Sequence, residues 1–194
     1  MTLLETPRAE EYFVLLRKRL DDETYQHSIS SAQFMLAISD EIGATPEKAT
    51  VTGLLHDLGK GFDDGQLLEA ARAYGLTPNE VQRVNPKLLH GPVAAEEARR
   101  RLGVVDDEVC EAIYWHTTGR PGFCRLGLGL YLADFAEPLR THPEAAVARE
   151  ILEEQGFEEA VLFAAREKLR HILMQPSVDP ASKAFYKWLQ TELG

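Results

Sequence analysis

The stretch Gly53-Leu54-Leu55-His56-Asp57-Leu58-Gly59-Lys60 sets a histidine beside an aspartate, with a lysine three residues further on. On a helix, adjacent side chains diverge by about 100°, so both can reach one metal ion placed between their directions. Lys60 then shares their face. A bare His-Asp pair carries little weight, but His27, His90, His116 and Asp134 repeat its chemistry along the chain. Four histidines and two aspartates offer nitrogen and oxygen ligands without thiolate. That set suits iron, manganese or another borderline divalent metal rather than a structural cysteine–zinc site. Six ligands exceed what one catalytic metal with open positions needs, whereas a carboxylate shared between two metals fits the number. Their spread from His27 to Asp134 requires tertiary folding to assemble them.

The elements that must position these residues read as helix after helix, punctuated by Pro and Gly. Apolar spacing predicts helices over Glu10 to Leu20 and Ser28 to Ile42, the second preceded by His27. Thr45 caps a third, with Pro46 in its first turn, which runs on through Val51, Leu54, Leu55 and Leu58 and places His56 and Asp57 at its end. Leu67 to Tyr74 and a short helix opened by Thr77-Pro78-Asn79-Glu80 follow. His90 precedes Gly91-Pro92 and the helix Val93 to Leu102. In Glu108 to Trp115, Val109, Ala112, Ile113 and His116 share one face; a loop spans 117–122, and Asp134 interrupts the apolar helix Leu126 to Glu137. Glu144 to Leu152, Glu158 to Met174 and Pro180 to Leu193 complete the series. Strand signals are nearly absent. The expectation is one all-α domain over residues 1–194, with about seven to ten helices around a metal site.

Each candidate also has a plainer reading. A lone histidine on an apolar face is more often a hydrogen-bonded core residue. Asp134 alone can pair with Arg125 or Arg140, and Lys60 alone can be a solvated lysine at a helix end. His142 and His171 read as surface or helix-end residues, Trp115 as core rather than base-stacking, and Glu144 to Leu152 as solvated surface. The net charge of −10 opposes binding to nucleic-acid polymers or anionic membranes, which both need clustered Lys and Arg. It leaves open a small anion in a pocket made locally positive by metal ions. Cys110 and Cys124 read as reduced, partly buried thiols suited to a reducing cytoplasm. Met1-Thr2-Leu3-Leu4-Glu5 lacks a basic region followed by an apolar core, and no apolar run reaches membrane-spanning length.

In order and spacing, His27, His56-Asp57, His90, His116 and Asp134 resemble the HD-domain metal-dependent phosphohydrolases, an all-helical superfamily. Leu88-Leu89-His90-Gly91 matches in order and spacing, and two segments narrow the resemblance to the YqeK-type subgroup of bacterial symmetrical dinucleoside-tetraphosphate hydrolases: His116-Thr117-Thr118-Gly119-Arg120-Pro121-Gly122 and Ala133-Asp134-Phe135-Ala136-Glu137-Pro138-Leu139-Arg140. It is strongest over residues 27–186. The resemblance implies two divalent metal ions bridged by Asp57. His27, His56 and Asp134 complete one set of ligands, and His90 with His116 the other. Iron is the expected metal, with manganese or another divalent ion as a substitute. Lys60 and Arg120 are the implied phosphate contacts, joined around the nucleotide by Thr117, Gly119, Glu137 and Arg140.

The implied reaction breaks the central anhydride of diadenosine tetraphosphate and yields two ADP, in the cytoplasm; a homodimer is compatible with the resemblance. Two other readings use the same residues: a nucleotide 5'-phosphatase of the same superfamily, and a nucleotide-binding sensor with little turnover. The chain departs from the family at Thr24, where an arginine is common, and at Phe123, Gly127 and Leu128, which replace a methionine and an Asp-Lys pair. These departures bear on pocket shape and substrate preference.

Overall fold

Capping chemistry sets where the helices begin. In the computed structural model, which describes residues 8–193, Asp21 accepts the Thr24 N–H and starts α2 (Asp22–Ala37) well ahead of the Ser28 start that apolar spacing alone suggests. His27 therefore lies inside α2, not ahead of it. Thr45 caps α3 (Pro46–Leu55), and Asp63 with Gln66 forms a reciprocal capping box for α4 (Asp64–Tyr74). The chain order is α1 (Ala9–Arg19), α2, α3, α4, α5 (Glu80–Val84), α6 (His90–Arg101), α7 (Asp107–Trp115), α8 (Arg125–Ala136), α9 (Pro143–Glu154), α10 (Phe157–Ile172) and α11 (Pro180–Glu192). The described residues form eleven α-helices, one more than the upper end of the expected seven to ten. Tight 3-10 turns over Leu58–Gly61 and Pro86–Leu89 follow α3 and precede α6. The described residues contain no strand. The reading of Met1–Glu5 lies outside them.

Burial organises these helices around α8. Its sequence is apolar on all sides, and every residue from Leu126 to Ala136 except Asp134 is buried. It packs against α2, α3, α7, α9 and α10. Leu54, Leu55, Ile113, Leu130 and Leu132 are fully buried where these helices meet. A smaller cluster of Leu67, Ala71, Leu89 and Val93 seats α4 against α6. α9 is not merely solvated surface: Ala145 and Ala148 are fully buried on its inner face. No helix of the described residues is long and apolar enough to cross a membrane.

Two close approaches shape the region around the ligands. A Cβ at Gly91 would lie 3.0 Å from His116 Cε1, so the missing side chain lets the start of α6 draw up to the end of α7. A Cβ at Gly127 would collide with the Phe123 ring. The departures at Phe123 and Gly127 are thus one packing event, an aromatic ring laid across a helix that has no side chain beneath it.

Candidate metal centre

The four histidines arrive from helix ends or interiors, and three are held by the same device. His56 caps the C-terminus of α3, and its Nδ1 lies 2.8 Å from the Gly53 carbonyl. His90 Nδ1 lies 2.6 Å from Lys87 O, and His116 Nδ1 lies 2.7 Å from Ile113 O. In each case the ring proton is donated to a carbonyl three residues back along the chain. His27, within α2, uses Glu137 instead, with Nδ1 3.0 Å from Oε1. All four rings then present Nε2 to one buried point.

At that point the Nε2 atoms face one another in pairs, His27 with His56 at 3.2 Å and His90 with His116 at 2.9 Å. In the neutral tautomer with the proton on Nδ1, each Nε2 offers a lone pair, and nitrogen then faces nitrogen with no hydrogen between them. Asp57 lies between the pairs and is fully buried. Its Oδ2 is 3.3 Å from His56 Nε2 and 3.5 Å from His27 Nε2, while Oδ1 is 3.3 Å from His90 Nε2 and 3.6 Å from His116 Nε2. Oδ1 has no hydrogen-bond donor. A buried carboxylate oxygen without a donor, facing two opposed lone pairs, is costly unless a cation joins them. His27, His56 and Asp57 form one group able to hold a metal ion, and Asp57, His90 and His116 form another. The cluster fits divalent metal binding.

Asp134 joins the first group from α8, with Oδ1 3.2 Å from His27 Nε2 and 3.9 Å from His56 Nε2. Arg140 Nη2 donates to the same Oδ1 at 3.0 Å, and Lys168 Nζ to Oδ2 at 2.8 Å. Arg125, the other sequence candidate for Asp134, instead binds Glu158 and the Glu41 carbonyl. Lys60 Nζ lies 2.6 Å from Asp57 Oδ2 and is partly open to solvent.

The protonation states suit a ligand set. Burial opposes ionisation of Asp57, yet its carboxyl stays well below the usual range, so it is a charged member of the cluster. Burial acts on Asp134 in the same way and is outweighed by Lys168 and His27. Burial also pushes His116 down to about 4, so its ring stays neutral and available as a ligand.

The structure brings together His27, His56, Asp57, His90, His116, Asp134, Lys60, Thr117 and Arg140. Thr117 Oγ1 lies 3.2 Å from His90 Nε2 and 3.1 Å from His116 Nε2. Three sequence candidates fall elsewhere. Arg120 Nη1 pairs with Glu111 of α7 at 3.2 Å and Nε donates to Pro121 O, and its guanidinium contacts none of the cluster residues. Gly119 is buried against the Phe185 ring. Glu137, only 1% exposed, stands behind His27 and orients it rather than facing a nucleotide.

Three side chains beside the centre were left outside the site by the sequence reading. Lys168, from α10, lines a cavity of about 740 Å³ beside Asp134. His142 and His171 line it too, the first as the N-cap of α9, the second in the last turn of α10. Nothing in the spacing of α10 separates Lys168 from an ordinary solvated lysine. Trp115 packs against Tyr114, ring centroids 4.8 Å apart, away from this cavity. Cys110 and Cys124 are free thiols.

The HD domain family model matches residues 24–140, a span that contains all six candidate ligands. The chain belongs to the HD domain family. A protein of Bacillus subtilis named bis(5'-nucleosyl)-tetraphosphatase, symmetrical, is 29% identical over 182 residues, 93% of this chain and 96% of its own. One of the same name from Halalkalibacterium halodurans is 32% identical over 129 residues, 66% of this chain and 68% of its own. Among solved structures, a predicted HD superfamily hydrolase involved in NAD metabolism from Clostridium acetobutylicum superposes with a TM-score of 0.88. It covers 94% of this chain and 96% of its own at 24% identity, which speaks to the fold.

Proposed function

We propose that this protein is a metal-dependent hydrolase that cleaves diadenosine tetraphosphate and related dinucleoside polyphosphates symmetrically, releasing two nucleoside diphosphates. The observation that carries the reading is Asp57, buried with one oxygen toward each histidine pair, within a chain similar over most of its length to proteins bearing that name. His27, His56, Asp57 and Asp134 would hold one divalent ion, and Asp57, His90 and His116 a second. Iron is the expected metal, and manganese a working substitute. When bound, such a pair of ions lowers the pKa of a nearby water and offsets charge on phosphoryl oxygens.

The chain's own residues supply position and further charge. Lys60 has its ammonium at the edge of the centre, where it can turn from Asp57 to a phosphate oxygen. Its charge is secure: burial works against it, but Asp57 and Asp134 raise its pKa. Arg140 offers a planar guanidinium on the Asp134 side, suited to holding two phosphate oxygens. Thr117 places a hydroxyl against the second histidine pair. Such a locally cationic floor lets a protein of net charge −10 take a small polyanion while its exterior disfavours nucleic-acid polymers and anionic membranes. The free thiols accord with a cytoplasmic setting.

The test is product identification. Purified anaerobically with ferrous iron, the protein should convert diadenosine tetraphosphate to ADP alone. ATP with AMP would overturn the symmetrical cut, and release of inorganic phosphate from AMP without action on the dinucleotide would mark a mononucleotide phosphatase instead.

A further inference from the structure

The large cavity meets the metal centre at Asp134 and runs outward between α8, the start of α9 and the last turns of α10. Its inner end is charged, since Arg140 and Lys168 both bind Asp134 there. Lys168 is fixed in place, with its ammonium 3.9 Å from the centroid of the Tyr131 ring. Further out the character changes. Phe135, Ile172 and Met174 supply apolar wall, and Met174 is 84% exposed at the mouth. The carboxylates of Glu144 and Glu167 also border the space, but Arg170 pairs with both, at 3.4 and 2.6 Å.

His142 adds a polar contact of defined direction. Its Nδ1 accepts the Ala145 N–H at 3.2 Å as the cap of α9, which leaves the Nε2 proton free to donate. The ring stands edge-on to Phe135, centroids 4.8 Å apart. The space is thus a slot with cations at its metal-facing end, apolar and aromatic walls, and one outward ring donor. Its volume falls in the range of small-molecule sites, about 300–1,000 Å³.

We infer that this cavity is a nucleoside subsite: one base of the substrate lies against His142 and Met174, and Lys168 with Arg140 receives the phosphates attached to it. The inference rests on the proposed hydrolysis of dinucleoside polyphosphates and adds where one nucleoside half is held and which side chains select it. Lys168 then contacts substrate as well as Asp134.

Calorimetric titration of the manganese-loaded protein with ADP, and separately with pyrophosphate, tests the subsite. Serine is chosen at both positions because it keeps the cap at 142 and is neutral at the exposed 174. The double variant His142→Ser, Met174→Ser should bind ADP about tenfold more weakly, the scale of a lost base contact, and pyrophosphate as the wild type does. Equal weakening of both ligands would overturn the subsite, as would unchanged ADP binding. If the wild type cuts the dinucleotide to ADP but the variant's ADP affinity is unmoved, the subsite fails alone. If the wild type leaves the dinucleotide intact while the variant selectively loses ADP, the subsite stands and the proposed reaction fails.

Discussion

Glu137 Oε1 lies 3.0 Å from His27 Nδ1, so the one histidine without a backbone carbonyl behind it is held by a carboxylate from beyond the end of α8. The pair spans 110 residues and couples α2 to the turn that also delivers Arg140. Substituting Glu137 with Ala should therefore weaken divalent-metal binding by about 10–100-fold. Titration of metal-stripped protein followed by manganese electron paramagnetic resonance reads this directly. Gln at 137 retains an acceptor and should recover most of the affinity; failure of that rescue would mean the charge of Glu137, not its hydrogen bond, is what matters.

Asp57 and Lys60 are 2.6 Å apart but should separate cleanly in function. Replacing Asp57 with Ala removes the oxygen pair facing both histidine pairs, and both metal content and hydrolysis should fall to background. The Lys60→Ala variant should keep its metal and lose about 10²–10³-fold in kcat, the scale of one removed charge-stabilising donor. Metal analysis paired with steady-state kinetics distinguishes the two. Full metal retention by the Asp57 variant would refute its place as the shared ligand.

Removing the metal should cost stability as well as activity. The opposed histidine nitrogens and the donorless Asp57 Oδ1 are strained without a cation. At free metal about a hundred times Kd, binding stabilises the fold by roughly 2.7 kcal/mol. Calorimetric scans should show Tm falling on chelation and recovering when manganese is restored. A Tm indifferent to chelation would argue against tight metal binding.

The Phe123–Gly127 pair gives a prediction independent of the centre. Gly127→Ala alone drives a methyl group into the Phe123 ring and should destabilise by about 1–3 kcal/mol. Combined with Phe123→Met, the same alanine should be nearly neutral. Urea unfolding of the four proteins in this cycle measures the coupling, and simple additivity would disprove it.

The residues of the buried His and Asp cluster were legible in the sequence because ionisable side chains repeated on or beside apolar helices stand out from their setting. The helices were legible for a similar reason, as apolar periodicity and Pro/Gly punctuation act locally. What escaped reading depends on contacts distant in sequence. His27 is the local exception: it seemed to lie outside its helix because apolar spacing masks the Asp21 cap and the acidic Asp22 and Glu23 that follow it. Arg120 looked free for phosphate, yet Glu111, one helix earlier, claims it. Lys168 sits 34 residues beyond Asp134 on a helix whose pattern is fully explained by packing. Charged side chains reveal their partners only once the helices are docked.

The carbonyl three residues behind His56, His90 and His116 has a mechanical consequence. Each ring is braced by its own turn of backbone, so losing the ion leaves those rings pointing as before. What the ion governs is the spacing between braced units, tying α2, α3, α6, α7 and α8 to a common origin. Metal loss should thus be felt as slack between intact helices, with amide exchange rising at their mutual seams while the helical interiors stay protected.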